Sequence, residues 1–324
     1  MLNFLITHYI KPFAFIVRVL VAVVILSLLE GKVLGSMQVR NGPNVVGPDR
    51  LLQPIIGGVM LIIKDPVRPS TSSAFVLLAA PMLGLSVALI LGAPIAIPPP
   101  MFDLHLRILL ILALSSLTVY SILGSGWASN STYALIGALR AVARTISYDV
   151  SLWLISLSVL IISWGLTLQT FTIALERISL LTPASPVVAL RYFSALGETY
   201  RARLDVTQRE SQLVCGFYVV YGGAPFPLCF LAVYAIMLVI NSVSAVLLLA
   251  ASLMPYMPAL SAIILITTAG LLCAVFQWVR GSYRRIRYDQ LMHLVWKIFV
   301  PLPLAFLLWH ADLPIALARL PPQL

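Results

Sequence analysis

The chain has 324 residues, of which 60% are hydrophobic and only 10% charged, with a net charge of +10 and a mean hydropathy of +1.01. Soluble domains carry about a quarter charged residues, so this composition excludes a soluble globular protein and indicates an integral membrane one. The positive balance is not a nucleic-acid footprint, because the Lys and Arg residues cluster in the segments between apolar runs, where they report membrane topology.

Taken in chain order, the apolar runs are Phe13 to Leu29, Ser73 to Gly92, Leu104 to Ala128, Val150 to Leu168, Ile178 to Leu196, Phe226 to Met254, Ala259 to Val279 and Leu291 to Trp309. Each is near the ~20 residues that cross about 30 Å of hydrocarbon, which predicts an all-α, polytopic fold with about eight transmembrane helices. Arg18 interrupts the first run and no small-residue cleavage site precedes Glu30, so this run reads as a membrane anchor and not a cleaved signal. With no internal repeat and no interdomain linker, residues 1–324 read as a single membrane domain. Its longer polar loops are expected at about 30–72, 129–149, 197–225 and 280–290.

The loops divide by charge. Lys32, Arg40, Arg50, Lys64, Arg68, Arg140, Arg144, Arg201, Arg203, Arg209, Arg280, Arg284, Arg285 and Arg287 occupy the odd-numbered loops, against Arg107 and Arg177 in the second and fourth. By the positive-inside rule both termini face outward and the odd loops form one inner surface. Leu51 to Ile63, in the first of these loops, is too short to span and reads as an interfacial or dipping helix. The proline- and glycine-punctuated segment from Met37 to Arg50 reads as an ordered loop.

Ionisable residues beside lipid are costly, so clusters of them direct attention to function. The densest is Glu198, Arg201, Arg203, Asp205, Arg209 and Glu210, in the fifth loop. Others are Glu30 with Lys32 and Arg40; Lys64, Asp65 and Arg68; Arg140, Arg144 and Asp149; and the basic segment Arg280 to Asp289. Asp149 opens one apolar run and Glu198 closes another. Carboxylates so placed either relay protons or ions, or form packing pairs with arginine. Aromatic residues around the fifth loop, Tyr192, Phe193, Tyr200, Phe217, Tyr218 and Tyr221, read as interfacial belt residues. Such a wall would also suit a flat, amphipathic ligand. Cys215, Cys229 and Cys273 show no ligand spacing, and no phosphate loop, nucleophile elbow, zinc motif or dinucleotide fingerprint occurs.

The segments EGKVLGSMQVRNGPNVVGP, LLQP, KDPVRPS, VYSILGSGWASNSTYALIGALRAVARTISYDVSL and RIRYDQLMHLVWK follow one another along nearly the whole chain. Together they resemble the NADH dehydrogenase subunit 1 family, the quinone-site membrane subunit of respiratory complex I, and most of all its vertebrate mitochondrial members. The resemblance implies eight transmembrane helices in the mitochondrial inner membrane, with the long loops facing the matrix. It implies a subunit of the proton-translocating NADH:ubiquinone reductase that has no covalently bound cofactor and takes ubiquinone as substrate. NADH, FMN and the iron–sulfur clusters would belong to other subunits. Partners would be the quinone-site subunits of the hydrophilic arm, adjacent membrane-arm subunits and lipid, with no nucleic acid. Carried onto matching positions, Glu30, Arg40, Lys64, Asp65, Arg68 and Arg280 would line the quinone tunnel and its partner contacts. Asp149, Glu198, Arg201, Asp205 and Glu210 would form an acidic funnel coupling quinone reduction to proton movement.

The chain also departs from the family pattern. An arginine of the tunnel is replaced by Gly31, and acids are replaced by Gly57, Gln208, Gln212, Val220 and Val233, while Arg203, Arg209 and Arg284 stand where the family is uncharged. Gln cannot ionise and Val cannot relay, so coupling through linked carboxylates would be weakened. The alternatives are a degenerate, variant or designed copy with impaired coupling, or a stand-alone membrane transporter. Long proline-ordered inner loops and the lack of inverted repeats favour a docked subunit over the transporter.

Overall fold

The structure is a computed structural model that describes residues 9–42, 47, 51–67, 69–95, 106–163, 185–199, 220–249, 258–282 and 286–319. These residues form α1 (Lys11–Met37), α2 (Gln53–Ile63), α3 (Ala74–Gly92), α4 (Arg107–Ala128), α5 (Thr132–Ser163), α6 (Ser185–Glu198), α7 (Pro225–Leu249), α8 (Pro258–Ser282) and α9 (Tyr288–Leu294). A π-helical turn, Val295–Phe299, then leads into α10 (Pro301–Arg319). No strand occurs among the described residues.

Helices are what this sequence must form in lipid, where no water satisfies a backbone amide or carbonyl. Seven helical segments among the described residues are long and apolar enough to cross a membrane. Within them, hydroxyl groups donate to carbonyls of the preceding turn, as Ser115 does to Leu112 at 2.8 Å and Ser125 to Ile122 at 2.7 Å. A polar side chain satisfied in this way can sit inside an apolar helix. Of the fifth run, α6 covers the carboxyl-terminal half, and the preceding residues 164–184 lie outside the described residues.

Two elements run longer than apolarity alone predicts. α1 continues past Leu29 to Met37 and so includes Glu30 and Lys32. α5 begins at Thr132, so most of the loop expected at 129–149 is helix, and Arg140, Arg144 and Asp149 ride on it. The short segment after α1 is indeed a helix, α2, which carries Pro54 in its first turn and buries none of its own residues.

The interior is largely apolar, but unlike that of a soluble bundle the outer surface is apolar too and buried polar groups are frequent. Phe75 is 84% exposed and Phe13 69%, whereas Ser115, Arg144, Asp149, Ser151, Arg191, Glu198, Asn241 and Gln277 are buried. Apolar faces turn outward to hydrocarbon and polar groups turn inward to each other. α3 packs against both α4 and α7, α4 against α5, α5 against α6 and α10, and α8 against α7 and α1. Small residues bring α4 and α5 together, with Gly126 set directly against Ala138. At the end of the chain, Val300 N–H donates to Val295 C=O at 2.9 Å, closing a wide turn just before Pro301, which has no N–H to give.

Gly126→Leu is expected to force α4 and α5 apart and to destabilise the chain by roughly 1–3 kcal/mol or more, the usual cost of overpacking. Thermal unfolding of the protein in detergent measures it, and an unchanged Tm would contradict the contact.

Candidate functional site

Two buried polar clusters connect helices that are distant in sequence. The first joins α1, α7 and α8. Glu30 is 8% exposed, and Arg280 forms an ion pair with its carboxylate. Tyr234 donates its hydroxyl to Glu30 Oε2 at 2.5 Å. A carboxylate held by a cation and a phenol is far cheaper to bury than a lone one. That explains how Glu30, on a helix whose backbone it does not disturb, can be buried against α7 and α8.

The second cluster joins α4, α5 and α6. Asp149 on α5 and Glu198 at the end of α6 lie within hydrogen-bonding reach of each other. Ser115 on α4 donates to Asp149 Oδ1 at 3.4 Å. Two residues further along α5, Ser151 donates to Ser194 at 3.1 Å and ties α5 to α6. Arg191, 4% exposed, lies on α6 two turns before Glu198, and its charge acts on that carboxylate. Arg191, Glu198, Ser115 and Ser156 share the wall of a cavity of about 30 Å³. Two carboxylates this close can be linked by a single proton, held as O–H donating to O⁻.

The remaining expected site residues are more dispersed. Arg40 is exposed after the end of α1 and donates from Nε to Gln38 Oε1 at 2.7 Å. Lys64 and Asp65 are also exposed, but their backbone is fixed. Gly223, at φ +69°, brings its Cα against their carbonyls so closely that a Cβ there would lie 2.7 Å from the Lys64 oxygen. Tyr221 beside it is buried, and burial pushes its phenol above the usual range. Arg68, Arg201, Asp205 and Glu210 lie outside the described residues. So the structure brings Glu30 together with Arg280, and Asp149 with Glu198, while Arg40, Lys64 and Asp65 lie outside both clusters.

Sequence reasoning missed Arg191, Ser115 and Tyr234. Ser115 and Tyr234 carry no signal among the many hydroxyls of the chain. Arg191 does: it is a lone cation inside an apolar run, which by itself marks a partner or a cavity. Arg107, read as a loop residue, opens α4 and is buried.

Comparison with known proteins addresses the whole chain. A family model described as NADH dehydrogenase matches residues 10–311. The NADH-ubiquinone oxidoreductase chain 1 of Carassius auratus is 65% identical over 324 residues, covering 100% of both chains. That of Cyprinus carpio is 64% identical over the same full length, and that of Salmo salar 63% over 320 residues, 99% of each chain. This chain belongs to the NADH-ubiquinone oxidoreductase chain 1 family.

Val220 and Val233, where the resemblance leads one to expect acids, both lie among the described residues. Val220 is buried in the apolar cluster formed by Leu77, Ile122 and Cys229. Val233 lines a second cavity, of about 40 Å³, whose wall also holds the hydroxyls of Thr118, Ser121 and Ser125. Val233 shares this hollow with Ala80, Pro81, Ile122, Ala232 and Ile236, and the three hydroxyls border it from α4.

Arg280→Leu removes the cation that offsets buried Glu30 and is expected to cost about 3 kcal/mol, the low end for breaking a buried pair, since Arg280 is partly exposed. Tyr234→Phe takes away one charge-assisted hydrogen bond and should cost about 1.5 kcal/mol. Tm values for the two variants should fall in that order; equal or reversed losses would argue against the ion pair as the dominant contact.

Proposed function

We propose that this chain forms the ubiquinone access tunnel of respiratory complex I and part of the acidic path that couples quinone reduction to proton translocation. Membership of the family makes it a membrane subunit of the proton-translocating NADH:ubiquinone reductase. The work of this chain is then to bind, orient and move protons, and NADH, FMN and the iron–sulfur clusters reside on neighbouring subunits. The inner, basic loops face the matrix of the mitochondrion, and they dock the quinone-site subunits of the hydrophilic arm.

The observation that carries this reading is the Asp149–Glu198 pair, buried between α4, α5 and α6. A solvated ion pair would not need to be there, and a purely structural one would not bring two like charges together. Two carboxylates in contact hold a proton between them and can release it when a charge arrives nearby. The Glu30–Arg280–Tyr234 cluster has the other character, a fixed neutral strut between three helices. It supports the tunnel wall, to which Arg40, Lys64, Asp65 and Arg68 contribute from the inner loops. Arg201, Asp205 and Glu210 extend the acidic path beyond Glu198.

A second reading, a member of the family with weakened coupling, is favoured by Val233. An acid at that position would face the hydroxyls of Thr118, Ser121 and Ser125 and continue a polar path, and valine interrupts it. Inhibitor-sensitive NADH:ubiquinone turnover with full proton coupling, measured in the complex assembled with this chain, would dismiss it.

For the principal reading, Glu198→Gln in the assembled complex is expected to lower coupled ubiquinone reduction roughly 10- to 100-fold, at or below the ~10²-fold that a general acid–base group supplies. Assembly, read on native gels, should change little. Unchanged turnover would remove Glu198 from the path.

A further inference from the structure

The second cluster contains one group that the pair of carboxylates does not explain. Arg191 is buried within α6, yet among the described residues its Nε and Nη1 find no hydrogen-bond acceptor. Both belong to a guanidinium on the wall of the cavity that also touches Ser115, Ser156 and Glu198. Guanidinium donors left bare in a low dielectric cost several kcal/mol, so the site must supply acceptors. The cavity, about 30 Å³, has room for about two waters at the ~10–15 Å³ that each requires. Most of its wall is apolar, but Ser115, Ser156, Arg191 and Glu198 give it the two to four polar partners that hold a water in place.

Charge bookkeeping gives the site a second property. Among the described residues, the charges that reach Glu198 are those of Asp149 and Arg191. One guanidinium and two carboxylates carry a net charge of one negative unit when fully ionised. A single proton on either carboxylate makes the group neutral, and neutrality is what a buried cluster inside a membrane requires.

We propose that Arg191, Ser115, Ser156 and Glu198 border a buried hydration site, in which ordered water links the guanidinium to Glu198, and that Arg191 is the fixed counter-charge that limits Glu198 and its neighbour Asp149 to one shared proton. Arg191 is thus a positioning residue: it touches no quinone and transfers no proton. The inference rests on the reading of Asp149 and Glu198 as part of the acidic path, and it specifies how many protons that path holds at this point. An anion is a poorer occupant than water, because the two carboxylates repel it.

The test is a double-mutant cycle in the assembled complex, read as the amount of intact complex on native gels and as ordered density beside Arg191. Arg191→Leu leaves two carboxylates without their cation, and the yield of complex is expected to fall about tenfold. Arg191→Lys, which keeps the charge, should recover most of that loss. Adding Glu198→Gln to Arg191→Leu removes one carboxylate and should also restore yield, which a merely structural arginine would not permit. In the unaltered complex, water density should bridge Arg191 to Glu198. Wild-type yield for Arg191→Leu, additive losses in the double variant, or well-resolved side chains with no water between them would each overturn the proposal. Turnover of Glu198→Gln alone judges the acidic path separately, so the failure of one can be told from the failure of the other.

Discussion

The constraint on which everything else depends is electrical: a charge buried among these helices must be offset within reach of its own side chain. Hydrocarbon offers neither water nor counter-ion, and an uncompensated carboxylate there would unfold the bundle or remain protonated. Glu30 meets the constraint with Arg280 and Tyr234, and the result is a neutral brace across α1, α7 and α8. Asp149 and Glu198 have Arg191 beside them, and in the reading proposed above a shared proton completes the balance. The same rule yields a static element in one place and a chargeable one in another.

That contrast separates support from chemistry more sharply than composition does. Both clusters are buried, both contain an acid and an arginine, and both join helices that are remote in the chain. What distinguishes them is stoichiometry. Among the described residues Glu30 faces one arginine, whereas Asp149 and Glu198 together face Arg191, and in the proposed reading that excess of acid is what holds an exchangeable proton. Around them the hydroxyls of Ser115, Ser151, Ser156 and Ser194 provide a polar lining without adding charge.

Much of the architecture was legible in the apolar runs, since lipid allows only helices there and their length is set by the bilayer. The errors fall where charge was taken to end a helix. α1 was expected to stop before Glu30 and α5 to start after Asp149, because nothing local reveals that these acids have partners on α8, α7 and α6. Asp149 and Glu198 could be singled out because each sits at the edge of an apolar run, but their contact arises from the packing of α5 on α6. Arg191 was hidden by its surroundings, as an averaged apolar window absorbs one cation without losing its character. The quinone-wall role of the inner loops and the acidic path after Glu198 rest on resemblance alone, and Arg201, Asp205 and Glu210 lie outside the described residues.

The π-helical turn at Val295–Phe299 has a geometric consequence. One residue inserted into a helix of 3.6 residues per turn rotates everything beyond it by about 100°. Leu291 and Val295, before and within the turn, pack on Tyr148, while α10 beyond it lies along α5. A straight helix would have to choose between these two surfaces of α5. The wide turn is therefore a phase shifter, which lets a single membrane crossing grip the helix bearing Asp149 with one face near Tyr148 and with another face further along.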